Sequence, residues 1–383
     1  MIADSPALRQ ARALIGQPGS RYLIPTPALI VDLDRLDRNI TRMAVRAASA
    51  GMALRPHAKT HKSSFIAKRQ LAAGAAGICC AKLGEAEALA SAGVRGLLVT
   101  SPVVGRGGAT RAAELARIDS DLTLVLDHAD QIDSLADAAS RAAVNISVII
   151  DVDVGLARTG AATPGAAVAL AERIRRFPML HLAGVQGYGG HWQHIVGAES
   201  RRIAVDAGMQ RLASVIEALR ASGHDIAIVT GGGTGTFAAD VALRVLTEVQ
   251  PGSYVFMDAQ YRDALGVDED AAFEQSLFVQ AQVVSINAEP WVTVDAGLKA
   301  FATDGPLPRP VGQRFGDSTY FYYGDEHGGL SRPSSAPPVA LGERVEFIPP
   351  HCDPTVDRYD TLFLVRDDVL IDTIFLEAAR RSQ

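Results

Sequence analysis

Short apolar runs alternate with Ala-rich amphipathic stretches along the first two-thirds of the chain. The runs cover Leu54–Lys59, Gly77–Lys82, Gly96–Ser101, Leu122–Asp127, Ile146–Asp151, Leu182–Tyr188, Ile228–Gly233 and Ser253–Asp258. Continuous apolar strands that alternate with helices are typical of a parallel sheet covered on both faces. Eight such units predict an α/β protein with a (β/α)8 TIM barrel. An open doubly wound sheet is the alternative.

The pattern changes after about residue 260, where helical periodicity fades and short strands with turns follow one another. We therefore predict a barrel over residues 27–265 and an all-β C-terminal domain over residues 266–383, with residues 1–26 added to the β domain. The apolar run 28–33 precedes the eight units, so it could instead join the β domain.

The composition argues against nucleic-acid-binding, membrane and disulfide-rich proteins. The 383 residues are 48% hydrophobic and 21% charged, with a net charge of -6. This balance gives no reason to expect a nucleic acid or a membrane as partner. The first residues lack a signal-peptide core, no apolar run reaches the roughly 20 residues of a membrane span, and three cysteines make no disulfide framework. These features predict a cytoplasmic protein.

The segment Arg55-Pro-His-Ala-Lys-Thr-His-Lys62 carries the first candidate chemistry. If its start is a strand, alternation places Arg55, His57 and Lys59 on one face. Burial disfavours the charged form of a lysine, and a neutral amine can form a Schiff base with a carbonyl group. The alternative is a basic surface turn.

A glycine-rich loop, Thr230-Gly-Gly-Gly-Thr-Gly-Thr236, follows the seventh predicted strand, and Gly252-Ser253-Tyr254 enters the eighth. Loops at this end of a barrel often hold a phosphate, because glycine lets backbone N–H groups approach an anion. The alternative is a flexible turn. A lysine and a phosphate site on one barrel face together indicate pyridoxal phosphate.

In the β domain, His351 and Asp353 stand two residues apart in Pro350-His-Cys-Asp-Pro354. In an extended segment both side chains face the same way and could share a divalent ion, with Cys352 pointing away. A carboxylate ligand favours Mn²⁺ or Mg²⁺ over Zn²⁺. A structural His–Asp pair is an equally good reading.

These motifs resemble those of the fold-type III pyridoxal-phosphate enzymes, in the branch of D-threonine aldolases, 3-hydroxy-D-aspartate aldolases and D-serine dehydratases. The likeness extends from Thr26 to the C-terminus. It includes the Lys59 segment, Asp151-Val-Asp-Val-Gly155 with Arg158, the glycine loop, Gln250-Pro-Gly-Ser-Tyr254 and His351-Cys-Asp353.

The resemblance implies an alanine-racemase-like barrel in which Lys59 bonds the cofactor and Arg158 lies against the pyridine nitrogen. The other cofactor-binding residues would be Tyr188, Thr230, Gly232, Gly233, Gly252, Ser253 and Tyr254. His351 and Asp353 would bind the metal beside the substrate hydroxyl, and His194 or His61 would take or relay its proton.

By the same resemblance, a His-x-Asp pair favours an aldolase, which cleaves a D-β-hydroxy-α-amino acid to glycine and an aldehyde or glyoxylate. Dehydratases typically have His-x-Cys, so a D-serine or 3-hydroxyaspartate dehydratase is the first alternative. A non-catalytic pyridoxal-phosphate carrier is the second. The family also implies a homodimer. Ser101-Pro102 departs from the Asn-Glu of the aldolases, which leaves the substrate open.

Overall fold

The computed structural model describes residues 5–270, 273–333 and 336–383. The strands in these ranges are β1 (Ala28–Asp32), β2 (Ala53–Leu54), β3 (Ile78–Cys80), β4 (Leu97–Val99), β5 (Thr123–Leu126), β6 (Ile146–Asp151), β7 (Leu180–Gly187), β8 (Ile228–Gly231), β9 (Glu248–Val249), β10 (Leu277–Ser285), β11 (Trp291–Val294), β12 (Arg309–Val311), β13 (Thr319–Tyr322), β14 (Gly328–Ser331), β15 (Arg344–Ile348), β16 (Thr361–Arg366) and β17 (Val369–Phe375).

The α-helices are α1 (Pro6–Ala13), α2 (Leu33–Ser49), α3 (Ser64–Ala72), α4 (Leu83–Ser91), α5 (Gly105–Ile118), α6 (Ala129–Ala142), α7 (Pro164–Ile174), α8 (Ala198–Ala221), α9 (Phe237–Leu243), α10 (Ala259–Asp270) and α11 (Cys352–Val356). Among the described residues, four short 3₁₀ turns cover Ser20–Leu23, Ala58–Thr60, Gly190–Trp192 and Ser253–Val255. No helix in the described ranges has both the length and the apolar composition needed to cross a bilayer.

The chain divides into two compact units. One, the barrel unit, contains Thr41–Gly252 with Arg380–Gln383, and the other, the β unit, contains Met1–Ile40 with Ser253–Ala379. The boundaries therefore differ from the predicted barrel limits of 27 and 265. Residues 1–4, 271–272 and 334–335 of the predicted β domain lie outside the described residues.

The barrel unit confirms the predicted fold class. Its eight strands run parallel in the order β2-β9-β8-β7-β6-β5-β4-β3. A parallel bridge between His57 and Cys79 joins the segment after β2 to β3, at the other end of this order. Cys79, Leu98, Val125 and Ile149, one from each of β3 to β6, pack into an apolar layer. Such layers fill the interior of a barrel with side chains.

Two predicted strands were wrong. The eighth barrel strand is β9 at Glu248–Val249, whereas Ser253–Val255 forms a 3₁₀ turn in the β unit. The first strand of the barrel unit, β2, ends at Leu54. Lys59 therefore lies on the 3₁₀ turn Ala58–Thr60 and not on a strand. The alternation that we expected to align Arg55, His57 and Lys59 therefore does not extend to Lys59.

The β unit is a largely antiparallel sheet in the order β13-β14-β11-β10-β1-β16-β17, with β15 pairing both β10 and β12. Strand β1 pairs antiparallel with β10 and parallel with β16. The run 28–33 thus joins the β unit, as its position before the eight-unit count allowed. Its five residues are all buried, which explains the continuous apolar run Ala28–Val31.

Candidate active site

A cavity of about 120 Å³ opens in the barrel unit at the ends of the strands. It is lined by His57, Lys59, Ala81, Thr100, Ser101, Arg158, Gln186, Tyr188 and Gln250. The ring of Tyr188 faces two cations, because its centroid lies 5.9 Å from Lys59 Nζ and 5.6 Å from Arg158 Cζ. Lys59 and Arg158, two predicted cofactor residues, thus lie against the ring of a third, Tyr188.

The turn that carries Lys59 is held by a chain of hydrogen bonds through His57. The backbone N–H of Lys59 donates to His57 Nδ1 at 3.3 Å, and His57 Nε2 lies 3.1 Å from Thr100 Oγ1, which donates to Cys80 O. An imidazole nitrogen that accepts a hydrogen bond carries no proton, so these contacts assign the proton to Nε2. His57 is therefore the neutral imidazole that fixes the backbone of Lys59.

Buried polar side chains form the floor of the cavity. Gln186 Nε2 donates to Asp151 Oδ1 at 2.9 Å, and Gln250 Nε2 donates to Gln186 Oε1 and to Thr230 Oγ1. Thr230 in turn donates to Glu248 Oε1 at 2.9 Å. Burial raises the pKa of Asp151 despite its hydrogen bonds from Thr159 and Gln186. The predicted phosphate residue Thr230 thus belongs to a continuous internal network.

Arg55 closes this network. Its Nε donates to Glu248 Oε1 at 2.9 Å, and its Nη1 donates to Gly96 O at 2.7 Å. The two charged side chains are only 11% and 5% exposed. A buried cation is tolerated when it is paired and hydrogen bonded in this way. Arg55 therefore has a structural partner within the barrel unit.

The glycine loop after β8 is shaped by Gln193 and Thr236. Gly233 N–H donates to Thr236 Oγ1 at 3.0 Å, and Gly235 N–H donates to Gln193 Oε1 at 3.0 Å. A methyl group at Gly235 would overlap the backbone carbonyl of Gln193. Glycine is thus required here for close packing against the segment after β7.

Asp240 lies beneath the same loop and is completely buried. It accepts a hydrogen bond from Thr236 Oγ1 at 2.7 Å through Oδ2. Burial raises the pKa of Asp240 to about 7, against the smaller lowering effect of the bonds from Thr236 and Gly233. A carboxyl group of this kind is protonated over much of the acidic range.

Gly252 follows β9 and lies against the Lys59 turn. A methyl group at Gly252 would come within 2.5 Å of Thr60 Oγ1. Within the described part of the chain, that hydroxyl is buried and has no hydrogen-bond partner. A buried hydroxyl is costly to leave unsatisfied, so this position suits a ligand with acceptor oxygens.

The predicted metal pair lies in the β unit. His351 is the N-cap of α11, and Asp353 lies in its first turn, so the extended segment that we expected is a short helix instead. His351 Nδ1 lies 2.9 Å from Asp304 Oδ2. The Cys352 side chain is fully buried, and burial raises the pKa of its thiol. We expected strand alternation to turn Cys352 away from the ion. Its side chain is instead buried within the short helix α11.

Comparison with known proteins places this geometry in a family. The alanine racemase N-terminal domain family matches residues 31–260, and the putative serine dehydratase domain family matches residues 276–365. A D-threonine aldolase from Arthrobacter sp. is 38% identical over 93% of each chain. A 3-hydroxy-D-aspartate aldolase from Paracoccus denitrificans is 35% identical, covering 93% of this chain and 92% of its own.

The chain belongs to the D-threonine aldolase family. The crystal structure of D-threonine aldolase from Filomicrobium marinum superimposes with a TM-score of 0.89 at 36% identity, covering 94% of this chain and 96% of that one. This confirms the resemblance that the motifs indicated. It also supports pyridoxal phosphate as the cofactor.

The barrel unit fits that cofactor. Lys59 places an amine in the cavity, Tyr188 and Arg158 lie beside it, and the unsatisfied Thr60 hydroxyl next to Gly252 would suit a phosphate group. Gly232 and Gly233 are buried in the loop after β8. Ser253 and Tyr254 form the 3₁₀ turn at the start of the β unit's second segment, where both are buried.

His61 and His194, the two predicted proton carriers, differ in their surroundings. His61 is fully buried, receives a hydrogen bond from Ser63 N–H at Nδ1, and places Nε2 3.2 Å from Gln70 Oε1. His194 is half-buried in the loop that follows β7. Neither lines the cavity around Lys59.

Sequence reasoning missed several residues of this site. Gln193 directly precedes the candidate His194, yet it is Gln193 that contacts the glycine loop. Gln186 and Gln250 are uncharged and were not predicted as site residues, although Gln250 opens a quoted motif and both line the cavity. The available signal was position, because both lie where barrel strands end.

Proposed function

We propose that this protein cleaves the Cα–Cβ bond of a D-β-hydroxy-α-amino acid of the D-threonine or 3-hydroxy-D-aspartate type, releasing glycine and an aldehyde or glyoxylate. The observation that carries this proposal is the cavity where Lys59 and Arg158 face Tyr188, in a chain whose relatives are aldolases of these two kinds. When bound, pyridoxal phosphate supplies a ring that accepts the electron pair of the broken bond.

The chain's own residues then have separate tasks. Lys59 bonds the cofactor, and His57 holds the lysine's backbone while remaining neutral. Arg158 and Tyr188 orient the ring, and Thr60 with Gly252 and the loop at Gly232–Gly233 hold its phosphate. Ser253 and Tyr254 complete this set in our proposal. In our proposal His194 or His61 takes or relays the hydroxyl proton.

We assign a divalent cation to His351 and Asp353, with Mn²⁺ or Mg²⁺ preferred over Zn²⁺. An imidazole and a carboxylate form a donor set that these ions accept, and the buried Cys352 is not part of it. Such an ion supplies Lewis acidity at a hydroxyl group. In the described ranges no three His, Cys, Asp or Glu side chains form a group that could hold a metal ion by themselves, and our proposal uses only this pair.

A dehydratase is the second candidate, because the family of putative serine dehydratase domains matches residues 276–365. It would expel the hydroxyl group and release ammonia. Asp353 favours the aldolase, since a carboxylate and not a thiolate accompanies His351. We further propose that the enzyme is a cytoplasmic homodimer, which light scattering of the purified protein would test by a mass twice that of the chain.

The test uses purified protein loaded with pyridoxal phosphate and Mn²⁺ and given D-threonine or either D-3-hydroxyaspartate diastereomer. Glycine release should stop with EDTA and return with Mn²⁺. Lys59→Ala should abolish it, whereas Lys82→Ala, a change at an exposed lysine, should leave it within about two-fold. Unchanged turnover in Lys59→Ala would exclude the proposed role of the lysine.

A further inference from the structure

The hydrogen bond between His351 and Asp304 indicates how the metal pair is held. A carboxylate only accepts hydrogen bonds, so at 2.9 Å the proton must lie on His351 Nδ1. In the neutral ring Nε2 is then the nitrogen that could bind a cation. Metal-binding histidines commonly donate their other N–H to a carboxylate, which fixes the ring and raises its basicity.

Asp304 lies between Ala302, which is hydrogen bonded to α11, and Gly305, which lies close to Pro350 just before that helix. Ala302 N–H donates to Thr355 Oγ1 at 3.0 Å in the buried interior, and Tyr322 Oη donates to Ala302 O. On the other side, a methyl group at Gly305 would approach Pro350 O within 3.2 Å. The hydrogen bonds of Ala302 and the close packing of Gly305 near Pro350 therefore place the backbone of Asp304 beside His351.

The helix start that carries His351 is equally fixed. Asp258 is fully buried and accepts Cys352 N–H at 2.8 Å through Oδ2 and Tyr261 N–H at 2.8 Å through Oδ1. These bonds fix the backbone that carries His351, so the orientation of its imidazole ring depends on side-chain contacts. Asp304 provides one of these contacts.

We propose that Asp304 is a positioning residue that orients His351 for the divalent cation of the proposed function, without binding the cation itself. The inference rests on the assignment of the metal to His351 and Asp353. It predicts that loss of the Asp304 carboxylate weakens metal binding about 10- to 100-fold. Because the side chain is 57% exposed, its removal should not disturb folding.

The experiment measures Mn²⁺ binding to the full-length, cofactor-loaded protein without substrate, from the electron paramagnetic resonance signal of free Mn²⁺. Asp304→Ala should raise the dissociation constant about 10- to 100-fold, and Asp304→Asn by less, because an amide oxygen can still accept the hydrogen bond. Asp317→Ala, at an exposed carboxylate of the same unit, is the control and should change it less than two-fold.

Each result decides between the proposals. Equal Mn²⁺ affinity in wild type and Asp304→Ala would overturn the positioning role while leaving the metal assignment intact. Loss of all binding in Asp304→Asn, as in His351→Ala, would make Asp304 a ligand and would also overturn it. No Mn²⁺ binding by the wild type would remove the metal from the proposed function itself.

Discussion

At the scale of single residues, the site depends on polar groups that are buried but paired. Arg55 with Glu248, the His57 chain and the Gln186–Gln250 pair all lie inside the barrel unit, where unpaired polar atoms are expensive. The sequence signalled Arg55 and His57 only by their nearness to Lys59. Their partners are far along the chain, so no local pattern could identify them.

We predict that Arg55→Ala lowers the free energy of unfolding of the barrel unit by about 3 to 5 kcal/mol, because it leaves Glu248 buried without its cation. Arg141→Ala breaks an exposed pair with Asp137, whose side chains are 57% and 60% exposed, and should cost no more than about 1 kcal/mol. Urea titrations of both variants check this. Equal losses would mean that burial does not govern the effect.

At the scale of elements, the loop after β8 is the part most constrained by close packing. We predict that Gly235→Ala weakens cofactor retention at least about ten-fold, because the new methyl group overlaps the Gln193 carbonyl and displaces the loop. Gly165→Ala in α7 adds a methyl group to open space and should retain the cofactor normally. Dialysis followed by the absorbance of bound cofactor measures both, and similar retention would contradict the proposed role of the loop.

Asp240, under the same loop, should make stability depend on pH. Its folded pKa of about 7 lies above the ordinary aspartate value, so the folded state holds a proton that the unfolded state has released. The free energy of unfolding therefore falls as pH rises from about 4 to about 7. Asp240→Asn does not titrate, so its stability relative to wild type should increase across this window.

The difference between the folded pKa of Asp240, about 7, and the ordinary aspartate value corresponds to a change of no more than about 4 kcal/mol in the free energy of unfolding. We expect roughly half of that change after local relaxation. Urea midpoints of wild type and Asp240→Asn at pH 4.5 and pH 8 give the comparison. A difference between the two proteins that stays constant with pH would contradict a raised pKa for Asp240.

The elements that sequence reasoning placed wrongly share a physical cause. Strand β9 contains only Glu248 and Val249, so it has no periodicity to detect, and it is defined by pairing with β2 and β8. The segment Ser253–Asp258 is apolar because it is buried, not because it is extended. At His351–Asp353, the i, i+2 spacing of the two polar residues predicted an extended segment, whereas the chain begins a short helix there, in which Asp258 Oδ2 accepts a hydrogen bond from Cys352 N–H.

At the scale of the whole molecule, the repeat of apolar runs and amphipathic stretches predicted the barrel, and its loss after about residue 260 predicted the second unit. Both come from burial patterns that local sequence records. The division at Ile40 and Gly252 was not predictable in this way, because β1 joins the β unit through pairing with β10 and β16. Pairing between strands that are distant in the sequence produces no pattern in the residues next to either strand.

The proposed reaction is defined by which bond of the substrate breaks. Assaying glycine, aldehyde or glyoxylate, and ammonia in the same reaction of the Mn²⁺-loaded enzyme with D-threonine and with D-3-hydroxyaspartate identifies that bond. We predict one glycine for each aldehyde or glyoxylate and no ammonia above the control without enzyme. Ammonia without glycine would contradict it and would establish a dehydratase in which Asp353 does not select carbon–carbon cleavage.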